Sequence, residues 1–171
     1  MLHKTSSLLA LALAISPLAG TSVAARTPPP PPPQVERTKS SPTAIISSTA
    51  TVPPGTKLVF VSGTTPSPPD PAKPEELGDT RAQTLSVLTK IKTQLESMGL
   101  GMGDIVKMTV FLVGVPDKGG RMDSAAMNDV FKTFFNTPEQ PNAPTRSTIQ
   151  VAALGRPTMY VEIEAIAAKA P

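Results

Sequence analysis

The sequence has no cysteine and no tryptophan, and it contains one histidine and one tyrosine among 171 residues. Without cysteine there is no disulfide, no thiol nucleophile and no thiolate metal ligand. The one histidine, His3, lies in a segment that we expect to be removed. The folded part is therefore predicted to lack histidine, which excludes Ser–His and Cys–His catalysis and an ordinary zinc site.

The first 25 residues have the pattern of a secretory signal peptide. Lys4 provides the positive start, an apolar run extends over residues 8–18, and residues 23–25 are the small side chains of a cleavage site. The apolar run is too short to span a bilayer as a helix, so cleavage is favoured over the alternative, a retained anchor. We therefore expect a periplasmic or secreted protein with no membrane attachment after cleavage.

The charge of the chain is close to neutral. The formal net charge is +3, and removal of residues 1–25 takes away one lysine and no acidic residue. A chain with so little excess charge gives no reason to expect a nucleic acid or an anionic membrane as partner.

Residues 26–42 are predicted to be a disordered, proline-rich tether. Six consecutive prolines occupy positions 28–33, and a polar, charged segment follows them. Such a run favours an extended polyproline helix and cannot form a core. We interpret it as a spacer, with binding by an aromatic groove of a partner as the alternative.

The hydrophobic pattern of residues 43–171 predicts one α+β domain with the order ββαβαββ. A ragged strand, a Pro-Pro-Gly turn and a second strand indicate a hairpin. The predicted strands are 44–52, 57–62, 105–113, 144–151 and 160–167, and the predicted helices are 80–98 and 123–136. Strands separated by helices imply a mixed sheet with both helices packed on one face.

Each predicted helix has an apolar stripe. In the first helix, which Thr80 and Gln83 would cap and Gly99 would end, the stripe is Ala82, Leu85, Leu88, Ile91, Leu95 and Met98. In the second helix it is Met127, Val130, Phe131, Phe134 and Phe135. The other sheet face would be solvated or covered by another subunit, and its candidate residues are Thr148, Gln150, Tyr160, Glu162, Glu164 and Ile166.

The last two predicted strands carry the candidate site. Arg146 lies near the start of one strand and Glu162 lies within the other. Taken alone, both residue types at such positions are typical of surface charges. If they face one cleft, however, an arginine and a carboxylate form a minimal site for a small anionic substrate. A shift of one residue in register would place them on opposite faces of the sheet.

The segments around these two residues resemble a known family. Residues 144–149 (Pro-Thr-Arg-Ser-Thr-Ile) and 161–163 (Val-Glu-Ile) resemble the C-terminal signature of the Rid (reactive intermediate deaminase) family, also called the YjgF family. Residues 59–63, residues 103–107 and Asn128 agree with the same resemblance.

The resemblance implies a chorismate-mutase-like fold and a homotrimer with clefts at its subunit interfaces. It also implies a hydrolase that converts reactive 2-imino and enamine acids to 2-keto acids and ammonia without metal or organic cofactor. Arg146 would hold the substrate carboxylate and Glu162 would position the attacking water. The remaining substrate-binding candidates are Ser62, Asn128, Thr148 and Tyr160.

The sequence departs from the family pattern at three places. No tyrosine occurs in the first strand region, where the chain has residues 48–50 (Ser-Thr-Ala), Thr148 replaces a cysteine, and Thr64 replaces a glutamine. These departures keep a second hypothesis open, a non-catalytic trimer that binds small carboxylates or acts as a holdase. Nuclease activity is disfavoured because the chain is near neutral and has few aromatic residues for base stacking.

Overall fold

The computed structural model describes residues 31–171. The predicted signal peptide and the start of the predicted tether lie outside the described residues. The strands are β1 (Glu36–Thr38), β2 (Thr49–Thr51), β3 (Lys57–Thr64), β4 (Ile105–Val113), β5 (Thr145–Val151) and β6 (Val161–Lys169), and the α-helices are α1 (Thr80–Ser97) and α2 (Ser124–Phe131). No helix among the described residues is long and apolar enough to cross a membrane.

The main sheet has four strands in the order β3-β6-β4-β5. Strand β6 is antiparallel to both of its neighbours, whereas β4 and β5 are parallel, so the sheet is mixed. Alternate residues of β4 and β6 are buried under the two helices; these residues are Met108, Val110, Leu112, Val161, Ile163, Ala165 and Ala167. The predicted α+β architecture, with two helices on one face of a mixed sheet, is therefore confirmed.

The predicted N-terminal hairpin is wrong. Strand β2 pairs with β1 in a separate two-stranded sheet, whereas β3 pairs with β6 at the other end of the chain. Strands that are consecutive in sequence often pair with each other, but not always. A turn at residues 53–55 reverses the direction of the chain but does not determine which strand pairs with β2 or with β3. Strand β6 offers β3 a long apolar partner, which β2 is too short to provide.

The folded domain also begins before residue 43, where the predicted tether was expected to end. The side chain of Arg37 in β1 donates to the carbonyl oxygens of Gly103 (2.9 Å) and Ile105 (3.3 Å). The Nζ atom of Lys39 donates to Oδ1 of Asn136 at 2.6 Å. These contacts are hydrogen bonds from cations to carbonyl oxygens. They do not require apolar residues, so the hydrophobic pattern of the sequence did not indicate them.

Helix α1 begins at the predicted residue but with a different cap. The side chain of Asp79 accepts from the backbone N–H of Ala82 (2.8 Å), so Asp79 is the N-cap, and the predicted capping box of Thr80 with Gln83 is wrong. Gly99 ends the helix at φ +70°, a left-handed conformation that favours glycine. Leu88, Ile91 and Leu95 are buried as predicted, whereas Ala82, Leu85 and Met98 are exposed.

Gln83 explains why the buried face of α1 differs from the apolar stripe. Its amide donates to the carbonyl oxygens of Gly78 (2.9 Å) and Thr158 (2.8 Å) and accepts from the backbone N–H of Tyr160 (2.7 Å). Because every polar atom of this side chain has a partner, Gln83 is fully buried without an unsatisfied group.

Strand β4 has the predicted bounds, and α2 is shorter than predicted because it ends at Phe131. The side chain of Asp123 caps α2 by accepting from the backbone N–H of Ala126 (3.1 Å). Met127, Val130, Phe131 and Phe135 are buried, and Phe134 is half-buried against the same core. The predicted stripe of α2 is therefore in the core.

Candidate active site

Arg146 lies on β5, the edge strand of the main sheet, with its side chain on the helix-covered face. Its partner on β4 is Met108, which is fully buried. The Nη2 atom of Arg146 donates to Oδ1 of Asn128 in α2 at 2.7 Å. The guanidinium carbon lies 4.3 Å from the centre of the Phe131 ring, one helical turn further along α2. Helix α2 therefore holds the arginine by a hydrogen bond and by a cation–π contact.

The guanidinium is half-buried and has no acidic partner among the described residues. None of the ion pairs found there includes Arg146, and its remaining contact is a weak one to the sulfur of Met127 at 3.6 Å. Burial lowers the pKa of Arg146 from its ordinary value by desolvation, but an arginine stays charged at working pH. A desolvated cation without a carboxylate can bind an anionic ligand strongly.

Thr148 lies two residues beyond Arg146 and points to the same face of β5, because side chains of a strand alternate. Its Oγ1 atom is buried and has no hydrogen-bond partner among the described residues. We refer to Arg146, Asn128 and Thr148 as the arginine cluster. It combines a cation, an amide and a free hydroxyl, the groups that a small carboxylic acid would contact.

Glu162 lies on the face of the sheet that the helices leave open. It pairs with Phe111 of β4, and the residues before and after it, Val161 and Ile163, are buried on the helix side. The Oε1 atom of Glu162 lies against Gly63 of β3 so closely that a Cβ atom at Gly63 would collide with it. A glycine is therefore required at position 63 for the glutamate to keep this conformation.

Ser62 comes directly before Gly63 and is exposed. It lines a cavity of about 370 Å³ together with Gly63, Thr64 and Lys90 of α1. We refer to Glu162, Gly63 and Ser62 as the glutamate cluster. A carboxylate with a hydroxyl on the next strand can hold a water molecule or accept a proton.

Within one chain the two clusters are separate. Strand β4 lies between their strands, so Arg146 and Glu162 are about 10 Å apart across the sheet and about 10 Å apart along it, with side chains on opposite faces. In one chain the two side chains therefore do not face one cleft, which is the arrangement that a one-residue shift in register gives. The predicted position of Thr148 and Gln150 on the open face is wrong, because the register of β5 with β4 places both on the helix side.

Tyr160 lies apart from the arginine cluster, just before β6. Its backbone carbonyl accepts from Val113 at 3.0 Å, and Val113 pairs with Val151 at the far end of β5 from Arg146. Its substrate-binding role is therefore not supported by the structure of one chain. Conversely, the sequence did not indicate that Phe131 contacts Arg146, because a phenylalanine in an apolar helical stripe is typical of the core.

Among the described residues, no group of three or more histidine, cysteine, aspartate or glutamate side chains could hold a metal ion. The chemistry that these residues offer is a fixed guanidinium on one face and a carboxylate on the other. The first suits recognition of a carboxylate, and the second suits proton transfer or activation of water.

Sequence comparison identifies relatives over most of the described region. A family model described as endoribonuclease L-PSP matches residues 38–169. TdcF of Escherichia coli K12, whose name places it among the reactive intermediate deaminases, is 38% identical over 112 residues, which cover 66% of this chain and 79% of TdcF. A RutC family protein of Haemophilus influenzae is 37% identical over 136 residues and is covered to 97%, with 80% of this chain matched.

Solved structures agree with this assignment. The crystal structure of E. coli TdcF with bound serine matches 70% of this chain and 85% of its own, with a TM-score of 0.54 and 38% identity. A Rid family protein of Yersinia pestis, YyfB, matches 72% of this chain and 86% of its own, with a TM-score of 0.58 and 27% identity. The fold, the relatives and the family model together show that the chain belongs to the Rid, or YjgF, family.

Proposed function

We propose that the protein hydrolyses reactive 2-imino and enamine acids to 2-keto acids and ammonia. The observation that carries this proposal is the guanidinium of Arg146, which is half-buried, fixed by α2 and without an acidic partner among the described residues. Membership of a family that includes a protein named as a reactive intermediate deaminase supports the reaction class.

Arg146 would bind the carboxylate that every 2-imino acid carries next to its C=N carbon. Its Nη2 atom donates a hydrogen bond to Asn128, and one face of the guanidinium lies on the ring of Phe131. The guanidinium therefore has a fixed orientation, and its other N–H groups can still donate to a ligand. A planar guanidinium offers paired donors that match both oxygens of a carboxylate. Binding would therefore fix the position of the electrophilic carbon.

Glu162 would act on the attacking water. The carboxylate of Glu162 takes a proton from the water while the water oxygen bonds to the imine carbon. The C=N bond thereby becomes a C–N single bond. The nitrogen receives this proton from the carboxylate, which gives a carbinolamine. The hydroxyl proton of the carbinolamine then passes through the same carboxylate to the nitrogen, the C–N bond breaks, and ammonia leaves as the carbonyl forms. An enamine enters the same route after a proton moves from its nitrogen to its β-carbon. General acid–base assistance of this kind contributes about 10²- to 10⁴-fold.

A complete site would require two copies of the chain, since Arg146 and Glu162 lie on opposite faces of one sheet. The proposed assembly is a homotrimer in which the edge strand β5 of one copy meets the open face of the next. Exposed apolar side chains support burial of that open face; Phe60 is 72% exposed and Ile149 is 46% exposed. Their removal from water would stabilise the association.

The signal-like segment at residues 1–25 supports export of the protein, and we propose that it acts outside the cytoplasm. No cofactor takes part in the proposed reaction, because the carboxylate binding and the proton transfers use only the side chains of Arg146 and Glu162.

A second function, binding of small carboxylates without turnover, is favoured by one observation. The base and the cation are not brought together within one chain, so an assembly that fails to align them would still bind a carboxylate through the arginine cluster. The protein would then show saturable binding of a 2-keto acid but would not release ammonia from a 2-imino acid.

The test of the proposed function uses a 2-imino acid that an amino-acid oxidase generates in the assay mixture. The rates of ammonia and 2-keto acid formation are compared with the rate of spontaneous hydrolysis without the protein. We expect Arg146→Ala to lower turnover by at least about 100-fold, and Arg146→Lys to recover it only in part because an ammonium lacks the planar donor pair. Equal turnover for the parent protein and Arg146→Ala would contradict the proposal. Binding of pyruvate that depends on Arg146, with no turnover in any variant, would favour the second function.

A further inference from the structure

The chain segment at residues 37–48 contacts the connection between α2 and β5. We refer to this segment as the N-terminal strap. The Nζ atom of Lys39 in the strap donates to Oδ1 of Asn136 (2.6 Å) and to the carbonyl oxygen of Pro141 (2.8 Å). Residues 132–144 join α2 to β5, which are the two elements that carry the arginine cluster. The strap therefore holds the segment that joins the two sides of the candidate site.

Ser47 makes the contact of the strap that is closest in sequence to Arg146. Its Oγ atom donates to the carbonyl oxygen of Ala143 at 2.6 Å, and its backbone N–H donates to the carbonyl oxygen of Pro144 at 2.9 Å. Pro144 lies two residues before Arg146, which is about 7 Å along an extended strand. The backbone pairing of β5 with β4 begins one residue later, at Thr145. Ser47 therefore holds the chain immediately before β5.

All three residues of this contact are buried. Ser47 is 3% exposed, Ala143 is fully buried, and Pro144 is buried as well. Ile45 and Ile46 of the strap pack against the main hydrophobic core. A buried carbonyl group that loses its donor carries a desolvation cost. Removal of the Ser47 hydroxyl would leave the Ala143 carbonyl without this donor, so we expect the backbone before β5 to shift.

We infer that Ser47 is a positioning residue for Arg146. The guanidinium is held by α2, through its hydrogen bond to Asn128 and its contact with Phe131, whereas the backbone of Arg146 belongs to β5. The position of the guanidinium relative to α2 thus depends on where β5 begins, and Ser47 fixes that point. This inference rests on the proposed function only in that Arg146 binds the substrate carboxylate.

A purely structural role for Ser47 is the competing explanation. In that case, loss of the hydroxyl would lower the free energy of unfolding but would leave the guanidinium of Arg146 in the same place. A measurement of stability does not distinguish the two roles. The experiment therefore needs a readout that comes from Arg146 itself.

The experiment compares Ser47→Ala with three other variants of the mature oligomeric protein. Ser47→Cys keeps the volume of the side chain but replaces the hydroxyl by a weak donor. Ser41→Ala removes a hydroxyl from an exposed position of the same strap, where its contact is with Oγ1 of Thr43 at 3.3 Å. Ile91→Val lowers stability by removing a methyl group from the buried face of α1.

The first readout is the Nε–Hε signal of Arg146 in the nuclear magnetic resonance spectrum of ¹⁵N-labelled protein, assigned by its absence in Arg146→Ala. The second readout is the affinity for pyruvate, measured by isothermal titration calorimetry at a temperature where circular dichroism shows every variant to be folded. The first readout requires no ligand, so it tests the positioning role whether or not the proposed reaction occurs.

We expect Ser47→Ala and Ser47→Cys to shift the Arg146 signal and to speed the exchange of its Hε with water, because a less fixed guanidinium is less protected. Both should bind pyruvate about 3- to 10-fold more weakly, the range that corresponds to the loss of one buried hydrogen bond. Ser41→Ala and Ile91→Val should leave the signal in place and change the affinity by less than about 2-fold.

The inference is overturned if Ser47→Ala leaves the Arg146 signal unchanged, if Ser47→Cys behaves like the parent protein, or if Ile91→Val produces the same changes as Ser47→Ala. A parent protein that does not bind pyruvate, together with a shifted Arg146 signal in Ser47→Ala, would support the positioning role and count against the proposed function instead.

Discussion

Arg146 and Glu162 lie on opposite faces of the main sheet, with strand β4 between the strands that carry them. Both residues belong to the segments by which the chain resembles the Rid family, yet in one chain they cannot contact the same small molecule. If they act on one substrate, the two side chains must come from different copies. The Arg146 and Glu162 variants should therefore complement each other in mixed oligomers.

Co-expression of Arg146→Ala and Glu162→Gln chains with different affinity tags should restore activity that each variant lacks alone. In a cyclic trimer that contains both variants, about one of the three interfaces combines an intact arginine from one chain with an intact glutamate from its neighbour. We therefore expect hetero-oligomers to show about one third of the parent turnover. The measurement is ammonia release after tandem affinity purification, with each single variant purified in the same way as the control.

No recovery in the mixed oligomers would contradict a site shared between copies. It would mean either that Arg146 and Glu162 act independently of each other or that the protein binds small carboxylates without turnover.

Asn128 accepts a hydrogen bond from Arg146 at 2.7 Å, so a charged residue at this position would compete with the substrate. We expect Asn128→Asp to weaken pyruvate binding at least about 10-fold, because the new carboxylate would pair with the guanidinium. Asn128→Ala is the matched control; it removes the hydrogen bond but leaves the cation free, and its effect should be smaller. The measurement is calorimetric titration with pyruvate at constant ionic strength.

The opposite order, with alanine more harmful than aspartate, would contradict this prediction. It would mean that Asn128 acts on pyruvate binding mainly by positioning Arg146 through its hydrogen bond, and that a carboxylate at position 128 does not compete with the ligand.

Much of the fold followed from local patterns, whereas the faces of the sheet did not. The apolar runs of β4, β6 and the two helices are periodic, and their ends were predicted to within about two residues, except that α2 ends at Phe131 rather than near residue 136. The side on which Arg146 lies depends on the pairing of β5 with β4, which begins with Lys107 opposite Thr145. A shift of that pairing by one residue would move Arg146 to the open face, and nothing in the segment itself excludes the shift.

Non-local polar contacts account for most of the other differences. Gln83 is buried because three partners from the loops before α1 and before β6 satisfy its amide, and these partners are up to 77 residues away in sequence. Likewise, β3 lies beside β6 rather than β2 because the C-terminal strand offers the longer partner. A pattern of hydrophobicity does not contain such pairings, since it describes each segment by itself.

Gly63→Ala should impair turnover without affecting carboxylate binding. The added Cβ would collide with Oε1 of Glu162 and force this side chain into another conformation. We expect turnover to fall at least about 10-fold, since acid–base assistance depends on the position of the carboxylate, while pyruvate affinity should change by less than about 2-fold. Gly155→Ala is the matched control, because a Cβ there meets no atom within 4 Å.

A loss of pyruvate affinity in Gly63→Ala equal to the loss of turnover would show that the substitution disturbs the whole assembly rather than Glu162. Unchanged turnover in Gly63→Ala would mean that Glu162 does not act in the reaction in the conformation described here.

The contacts of Arg37 predict that the segment before residue 43 contributes to stability. Arg37→Ala removes hydrogen bonds to the carbonyl oxygens of Gly103 and Ile105, which lie at the start of β4. Because the two carbonyl groups would lose a charged donor, we expect the free energy of unfolding to decrease by about 1–3 kcal/mol. Glu36→Ala, an exposed neighbour on the same short strand, should change it by less than about 0.5 kcal/mol. Urea unfolding followed by circular dichroism measures both; equal stability of the two variants would mean that this segment lies on the domain without stabilising it, as a tether would.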